Sequence, residues 1–206
     1  MGKKIFEVYL AKEGIPNNEA YAKLDLPASL WELWDALDKV RLQTDDILYM
    51  EIEGYDAFEY LSPHLDGLDI SINELNDLAS LLSALDEVQE AAFEGLVLMD
   101  LNKGITELPL PRLIDLANSA DCCHVAPGIK NDEQLGHFYV DNDFPVIPAG
   151  LPEELYEILD YEAVGRKARM EEGGVFISGG YVVQHTDLDV SYSQSLCDPQ
   201  MEVMST

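Results

Sequence analysis

Between Leu42 and Asn102 the chain carries fifteen Asp and Glu residues and not one Lys or Arg. That run constrains folding more than any other feature. No carboxylate in it can find a cation within the run, and an unpaired buried carboxylate is prohibitively costly. The run's acids are therefore expected at the surface. The stretch TDDILYMEIEGYDAFEY, Thr44 to Tyr60, obeys this rule. Asp45, Asp46, Glu51, Glu53, Asp56 and Glu59 alternate with Ile47, Leu48, Met50, Ile52 and Phe58. Apolar residues so interleaved mark a folding segment, not a disordered acidic tail.

The remainder of the chain frames this run. The whole carries 40 acidic and 12 basic side chains, a formal net charge of −28 and a pI near 4.1. Residues 1–41 are close to balanced at −1, residues 42–102 stand at −15 and residues 103–206 at −12. Like charges at that density destabilise a compact state, and an ordinary solvated face mixes lysines with its acids. An acid-only face over two kinds of secondary structure points to a selected electrostatic surface. Direct nucleic-acid binding is excluded, because phosphates demand Lys and Arg. No 18-residue apolar run is present, so no membrane partner is expected, and MGKKIFEVYL alternates like a strand and is not a signal peptide. Three cysteines, two of them adjacent, argue against a disulfide framework. The expectation is a cytoplasmic protein without cofactor.

Hydrophobic periodicity gives the elements. KKIFEVYLA predicts a strand with Phe6, Val8 and Leu10 on one face, and KLDL its hairpin partner. DLPASLWELWDALDKVRL predicts a helix opened by a Ser29–Glu32 capping box, with Leu30, Leu33, Trp34 and Leu37 recurring at helical spacing. Trp31 and Trp34, three apart with Leu37, are expected in the core, with a binding platform as the alternative. DILYMEIEGY predicts a second alternating strand, with Leu48, Met50 and Ile52 inward and Tyr49, Glu51 and Glu53 outward. SINELNDLASLLSALD predicts a helix capped by Ser71 and Glu74, with Leu75, Leu78, Leu82 and Leu85 buried. EVQEAAFEGLVLMD continues as a short helix ended near Gly95 or at Gly104. Beyond Pro109 and Pro111, helices are expected at RLIDLANSA, NDEQLGHFYVDN and LPEELYEILDYEAVGRKARMEEGG, a short strand or turn at CCHVAPG, and a hairpin at GGVFISGGYVVQH. The fold class is α+β, read as elongated with three small modules. These are a mixed sheet–helix module over 1–60, a helical acidic module over 61–105 and a mixed module over 106–185, followed by a flexible tail over 186–206.

Catalytic patterns are lacking: no GxSxG, HExxH, Walker or GxGxxG arrangement occurs. Gly173-Gly174 and Gly179-Gly180 frame a hairpin and do not precede a helix, as a phosphate loop would. Cys122, Cys123 and His124, with His137 further on, suggest zinc at first sight. Adjacent strand residues point to opposite faces, however, so both thiols rarely reach one tetrahedral ion, and buried thiols with a surface histidine are expected. DNDFPVIPAG lacks the spacing of a calcium loop. No metal and no catalytic residue is expected.

The acids, in contrast, have a geometry. Carboxylates at i, i+3 or i+4 of a helix lie ~5–6 Å apart, and alternate strand residues lie ~6.5–7 Å apart. Such rows can imitate duplex DNA, which bears one negative charge per ~1.7 Å of axis. The candidate phosphate surrogates are Asp45, Asp46, Glu51, Glu53, Asp56, Glu59, Asp66, Asp69, Glu74, Asp77, Asp86, Glu87, Glu90 and Glu94.

A resemblance joins this reading. LPEELYEILDYEAVGRKARMEEGGVFISGGYVVQ resembles the closing segment of the ArdA antirestriction family, most specifically through Asp160-Tyr161-Glu162-Ala163, Gly165-Arg166 and the turn into Val175-Phe176-Ile177. SADCCHVAPGIKNDEQLGHFYVDND is similar to the segment before it, SINELNDLASLLSALDE to the central helices and EVYLAKEG to the first strand. In patches the likeness spans residues 5–185. It implies an acidic, elongated, non-enzymatic DNA mimic that occupies the DNA groove of type I restriction–modification enzymes and dimerises through its C-terminal domain. Tyr156, Leu159 and Val164 are the candidates for that homodimer interface. The alternatives are an acidic mimic aimed at another DNA-binding defence nuclease, or a non-mimic acidic scaffold protein.

Overall fold

Alternation of apolar and polar residues makes Phe6–Lys12 a strand (β1), with Phe6, Val8 and Leu10 buried as the period of two requires. It pairs antiparallel with β2, Ala22–Leu26, and after α1, Leu30–Val40, with β3, Leu48–Gly54, in the order β2-β1-β3. The computed structural model describes residues 3–14, 20–43, 45–144 and 152–197. Leu151, the acidic run's Thr44 and the end of the DNDFPVIPAG loop lie outside them. The described residues fall into two units, one within Met1–Leu85 and Glu107–Ala117, the other within Asp86–Thr106 and Asn118–Thr206. Both are mixed helix and antiparallel sheet, so the fold class is α+β.

In the first unit α1 opens on the expected capping box, Ser29 with Glu32, and packs on β1 and β2. Its phase differs from expectation. Leu33, Ala36 and Val40 are buried and Leu37 half-buried, whereas Leu30, Trp31 and Trp34 are 75%, 80% and 72% exposed. The two tryptophans are therefore not core residues. Two apolar stripes compete on this helix, and the narrower side chains, above all Ala36, let the helix axis approach the sheet closely. After β3 a 3₁₀ turn, Asp56–Leu61, buries Phe58 and Leu61, and α2, Ser62–Leu65, follows directly. The helix α3, Ile72–Ala84, carries the Ser71–Glu74 capping box and buries Leu75, Leu78 and Leu82 as expected, with Leu85 half-buried at its C-cap. One amide joins these pieces. Asn76 Oδ1 accepts from the Ala28 N–H at 2.7 Å while its Nδ2 donates to the Ala28 carbonyl at 3.1 Å. The unit also holds most of α5, Leu110–Asn118.

In the second unit α4, Glu87–Asn102, begins at Asp86, which caps it together with Gln89. It runs through Gly95, which faces Val182 on the sheet; an added β-carbon there would lie 2.5 Å from Val182 Cγ1. Gly95 is thus a close-approach residue inside the helix, and termination falls just before Gly104. A 3₁₀ turn, Ala120–Cys122, leads into β4, Cys123–Pro127, which pairs with β6, Gly180–Gln184, while β5, Val175–Ile177, pairs with the other edge of β6. The expected C-terminal helical stretch is two helices, α7, Glu153–Tyr156, and α8, Tyr161–Glu172. The latter lies along α6, Asp132–Asp141. Leu135, Tyr139, Ala168 and Tyr181 form the core between them and the sheet. Past the hairpin, where the sequence predicts no element, Ser191–Cys197 is helical (α9). The Asp189 N–H donates to Ser119 Oγ at 2.9 Å, and Cys122 Sγ donates to the Asp187 carbonyl at 3.2 Å.

Candidate interaction surface

The acids of the first unit separate into those with structural duties and those without. On the outer face of the sheet, the register sets Tyr9 opposite Lys23 on one side and Glu51 on the other, and Glu7 opposite Asp25. A lattice of ion pairs results, with Lys4 to Glu7 at 2.6 Å and to Asp25 at 2.9 Å, and Lys23 to Glu53 at 2.7 Å. Lys12 reaches Asp46 at 2.5 Å, and this contact holds the Asp46 carboxyl below its ordinary range. Two members of the base-free run are thus neutralised by cations from β1 and β2. The Tyr49 hydroxyl donates to Glu51 at 2.9 Å, and the Tyr55 hydroxyl to Asp66. Glu74 accepts from the Ser71 backbone N–H and hydroxyl, which depresses its pKa. Its charge also suits the positive end of α3.

The remaining five of this unit, Asp45, Asp56, Glu59, Asp69 and Asp77, are exposed and make no side-chain hydrogen bond or ion pair among the described residues. They stand in the turn before β3, on the 3₁₀ turn, in the loop after α2 and on the second turn of α3. Asp56 takes a φ of 40°, tolerable for a short polar side chain. In the second unit Asp86 accepts from the Val88 and Gln89 N–H groups at 2.9 and 2.8 Å. Glu87 is exposed on the first turn of α4. Glu90 and Glu94 are half-buried, and burial raises the Glu94 pKa. The outward row on this helix is correspondingly weaker than its spacing suggests.

A cleft of about 360 Å³ in the first unit is lined by β3 residues Tyr49 to Ile52 and by Leu65 to Leu68 and Ile70. Its polar side chains are Tyr49, Glu51 and Asp66. In the second unit His124 is exposed and stacks on His185 at 4.0 Å, and the Cys123 thiol is pushed up to about 12 by burial. Among the described residues no group of three or more His, Cys, Asp or Glu could hold a metal ion, and no helix is long and apolar enough to cross a membrane. The dimer candidates Tyr156, Leu159 and Val164 are half-buried. Leu155, Ile158 and Met170, which the sequence did not single out, are the exposed large apolar residues beside them.

The DYEAVGR block has a physical role in this setting. Asp160 caps α8 through the Ala163 N–H, Gly165 lets α8 touch α6, and Arg166 pairs with Glu162. Farther along the helix, Arg169 grips Asp132 with two hydrogen bonds of 2.7 and 3.1 Å.

Two mixed units of helix and antiparallel sheet, with a display of exposed carboxylates, make this an acidic protein of the α+β class. The family model described as "Antirestriction protein (ArdA)" matches residues 21–183, more than three quarters of the chain. The chain belongs to that family, and its function is antirestriction. Among curated proteins none matches it.

Proposed function

We propose that this antirestriction protein is a DNA mimic that inhibits type I restriction–modification enzymes by occupying their DNA-binding groove, acting as a homodimer joined through residues 106–185. One observation carries the reading. Within a run that contains no Lys or Arg, Asp45, Asp56, Glu59, Asp69 and Asp77 stand exposed and without side-chain partners, so their charge is available to a partner. A groove that binds phosphates is rich in Lys and Arg, and such a surface would be drawn to these acids over the Debye length of ~8 Å at physiological ionic strength. The acids with partners at home, notably Asp46 and Glu53, contribute less. The apolar exposure of Leu155, Ile158 and Met170 supports the dimer.

An endonuclease protection assay tests this directly, with unmodified DNA, a type I enzyme and graded amounts of the protein. Protection should rise with dose and fall steeply with salt. Changing Glu51, Glu53, Asp56 and Glu59 together to Gln or Asn should weaken binding while leaving the fold intact, since the relief of like-charge repulsion offsets the loss of the exposed Lys23–Glu53 ion pair. Each single change should be mild. Salt-insensitive binding by the wild type would refute mimicry, and an unaffected quadruple variant would remove this stretch from the interface.

A further inference from the structure

The two tryptophans are the only ones in the chain, and both lie on the solvent side of α1. At 3.6 residues per turn, the face opposite buried Leu33, Ala36 and Val40 is formed by Trp31, Trp34, Asp35 and Asp38, at spacings i, i+3, i+4 and i+7. Two indoles therefore alternate with two carboxylates on one outward stripe, with Leu30 beside them. Tryptophan is seldom left so exposed without a partner. We propose that this stripe is an anchoring site for arginine side chains of a basic protein surface, the indoles taking guanidinium groups face-on and Asp38, which unlike Asp35 makes no ion pair among the described residues, accepting their hydrogen bonds.

The chemistry selects this occupant over others. Arginine combines a planar cation that stacks on aromatic faces with a donor fork that fits a carboxylate, and a stripe of indole and carboxylate offers both halves of that recognition. Tryptophan and arginine are also the side chains that most often anchor protein interfaces. On α1 itself Glu32, Asp35 and Asp38 outnumber Lys39, which is engaged with Asp35 at 2.7 Å, and the chain's net charge of −28 favours a cationic partner generally. Nucleic acids and anionic membranes are repelled by that charge. The inference rests on the reading that the protein enters a DNA-binding groove, and it names where that groove's arginines would be held. The carboxylates of residues 45–77 would then supply attraction, and the indoles the anchor.

Two measurements test it. In the first, Trp31→Ala/Trp34→Ala and Trp31→Phe/Trp34→Phe are titrated in the type I endonuclease protection assay beside the quadruple carboxylate variant. Both tryptophans are exposed, so melting temperatures should match the wild type. The alanine pair should raise the protein concentration needed for half-protection by about tenfold or more, and the phenylalanine pair by less. Full protection by the alanine pair with loss in the carboxylate variant would overturn the anchor and leave mimicry standing. Loss in neither variant, or an inactive wild type, would overturn both. In the second, the protein's tryptophan emission is followed during titration with nona-arginine and with nona-lysine. Nona-arginine should perturb the emission at several-fold lower concentration. An equal response would overturn the stacking claim. So would indoles already shielded from acrylamide in the free protein, which would show the stripe covered by its own chain or by a second copy.

Discussion

Replacing Gly165 by Ala sets two physical rules against each other. By helix propensity alone, the change should stabilise α8 by about 1 kcal/mol. The crossing with α6 predicts the opposite. A β-carbon at residue 165 would lie 1.9 Å from the Asp132 carbonyl oxygen and 2.6 Å from the Gly136 nitrogen, and residue 136 meets the Tyr161 carbonyl oxygen at 1.9 Å in turn. The 1.9 Å at residue 136 is likewise that of an added β-carbon, Gly136 itself having none, and these neighbours are backbone and cannot rotate away. To restore even a 3.0 Å contact the helices must separate by about 1 Å or more. Overpacking of this kind costs about 1–3 kcal/mol and occasionally more. Separation also stretches the Arg169 fork on Asp132, worth about 1.5–3 kcal/mol where one partner is charged. It loosens Leu135, Tyr139, Ala168 and Tyr181 as well. Net of the propensity gain, Gly165→Ala should destabilise the second unit by about 2–4 kcal/mol. Urea denaturation followed by far-ultraviolet circular dichroism measures this as a lower midpoint. A variant as stable as the wild type, or more so, would refute the close crossing.

Two further outcomes are expected. Arg169 hydrogen bonding holds the Asp132 carboxyl below its ordinary 3.8, so its stabilisation is complete above that value and is lost as pH falls through the lower folded value. Arg169→Gln should cost about 1–3 kcal/mol at neutral pH and progressively less as pH falls below 3.8 toward the folded value, and parallel slopes in a pH series of denaturant midpoints would contradict this account. Replacing Cys122 and Cys123 together by Ser should cost about 1–3 kcal/mol of packing with inhibition unchanged at permissive temperature, whereas one equivalent of bound zinc in untagged protein would argue for a metal role.

What the sequence determined alone was set by short-range rules. The strands β1, β2 and β3 follow from alternation over five to seven residues, and the register of Phe6, Val8 and Leu10 to the core follows from the period of two. The capping boxes at Ser29–Glu32 and Ser71–Glu74 were legible because both partners sit three residues apart in one chain segment. The exposure of Asp45, Asp56, Glu59, Asp69 and Asp77 was legible for a related reason, since the run offers them no cation, whereas Asp100 at the end of the same run is buried with Lys103 3.5 Å away. Tertiary structure decided everything that depends on a neighbour distant in sequence. Lys12 and Lys23 neutralise Asp46 and Glu53 only because strand pairing brings them alongside. Gly95, which reads as a helix stop, and Gly136 with Gly165 inside helices, matter for what lies across from them. The face α1 buries was likewise beyond the pattern. Leu30 and Trp34 compete with Leu33, Ala36 and Val40 as apolar stripes, and hydrophobicity favours the larger side chains. Close packing against β1 and β2 favours the narrower ones, and that steric choice leaves two indoles in water.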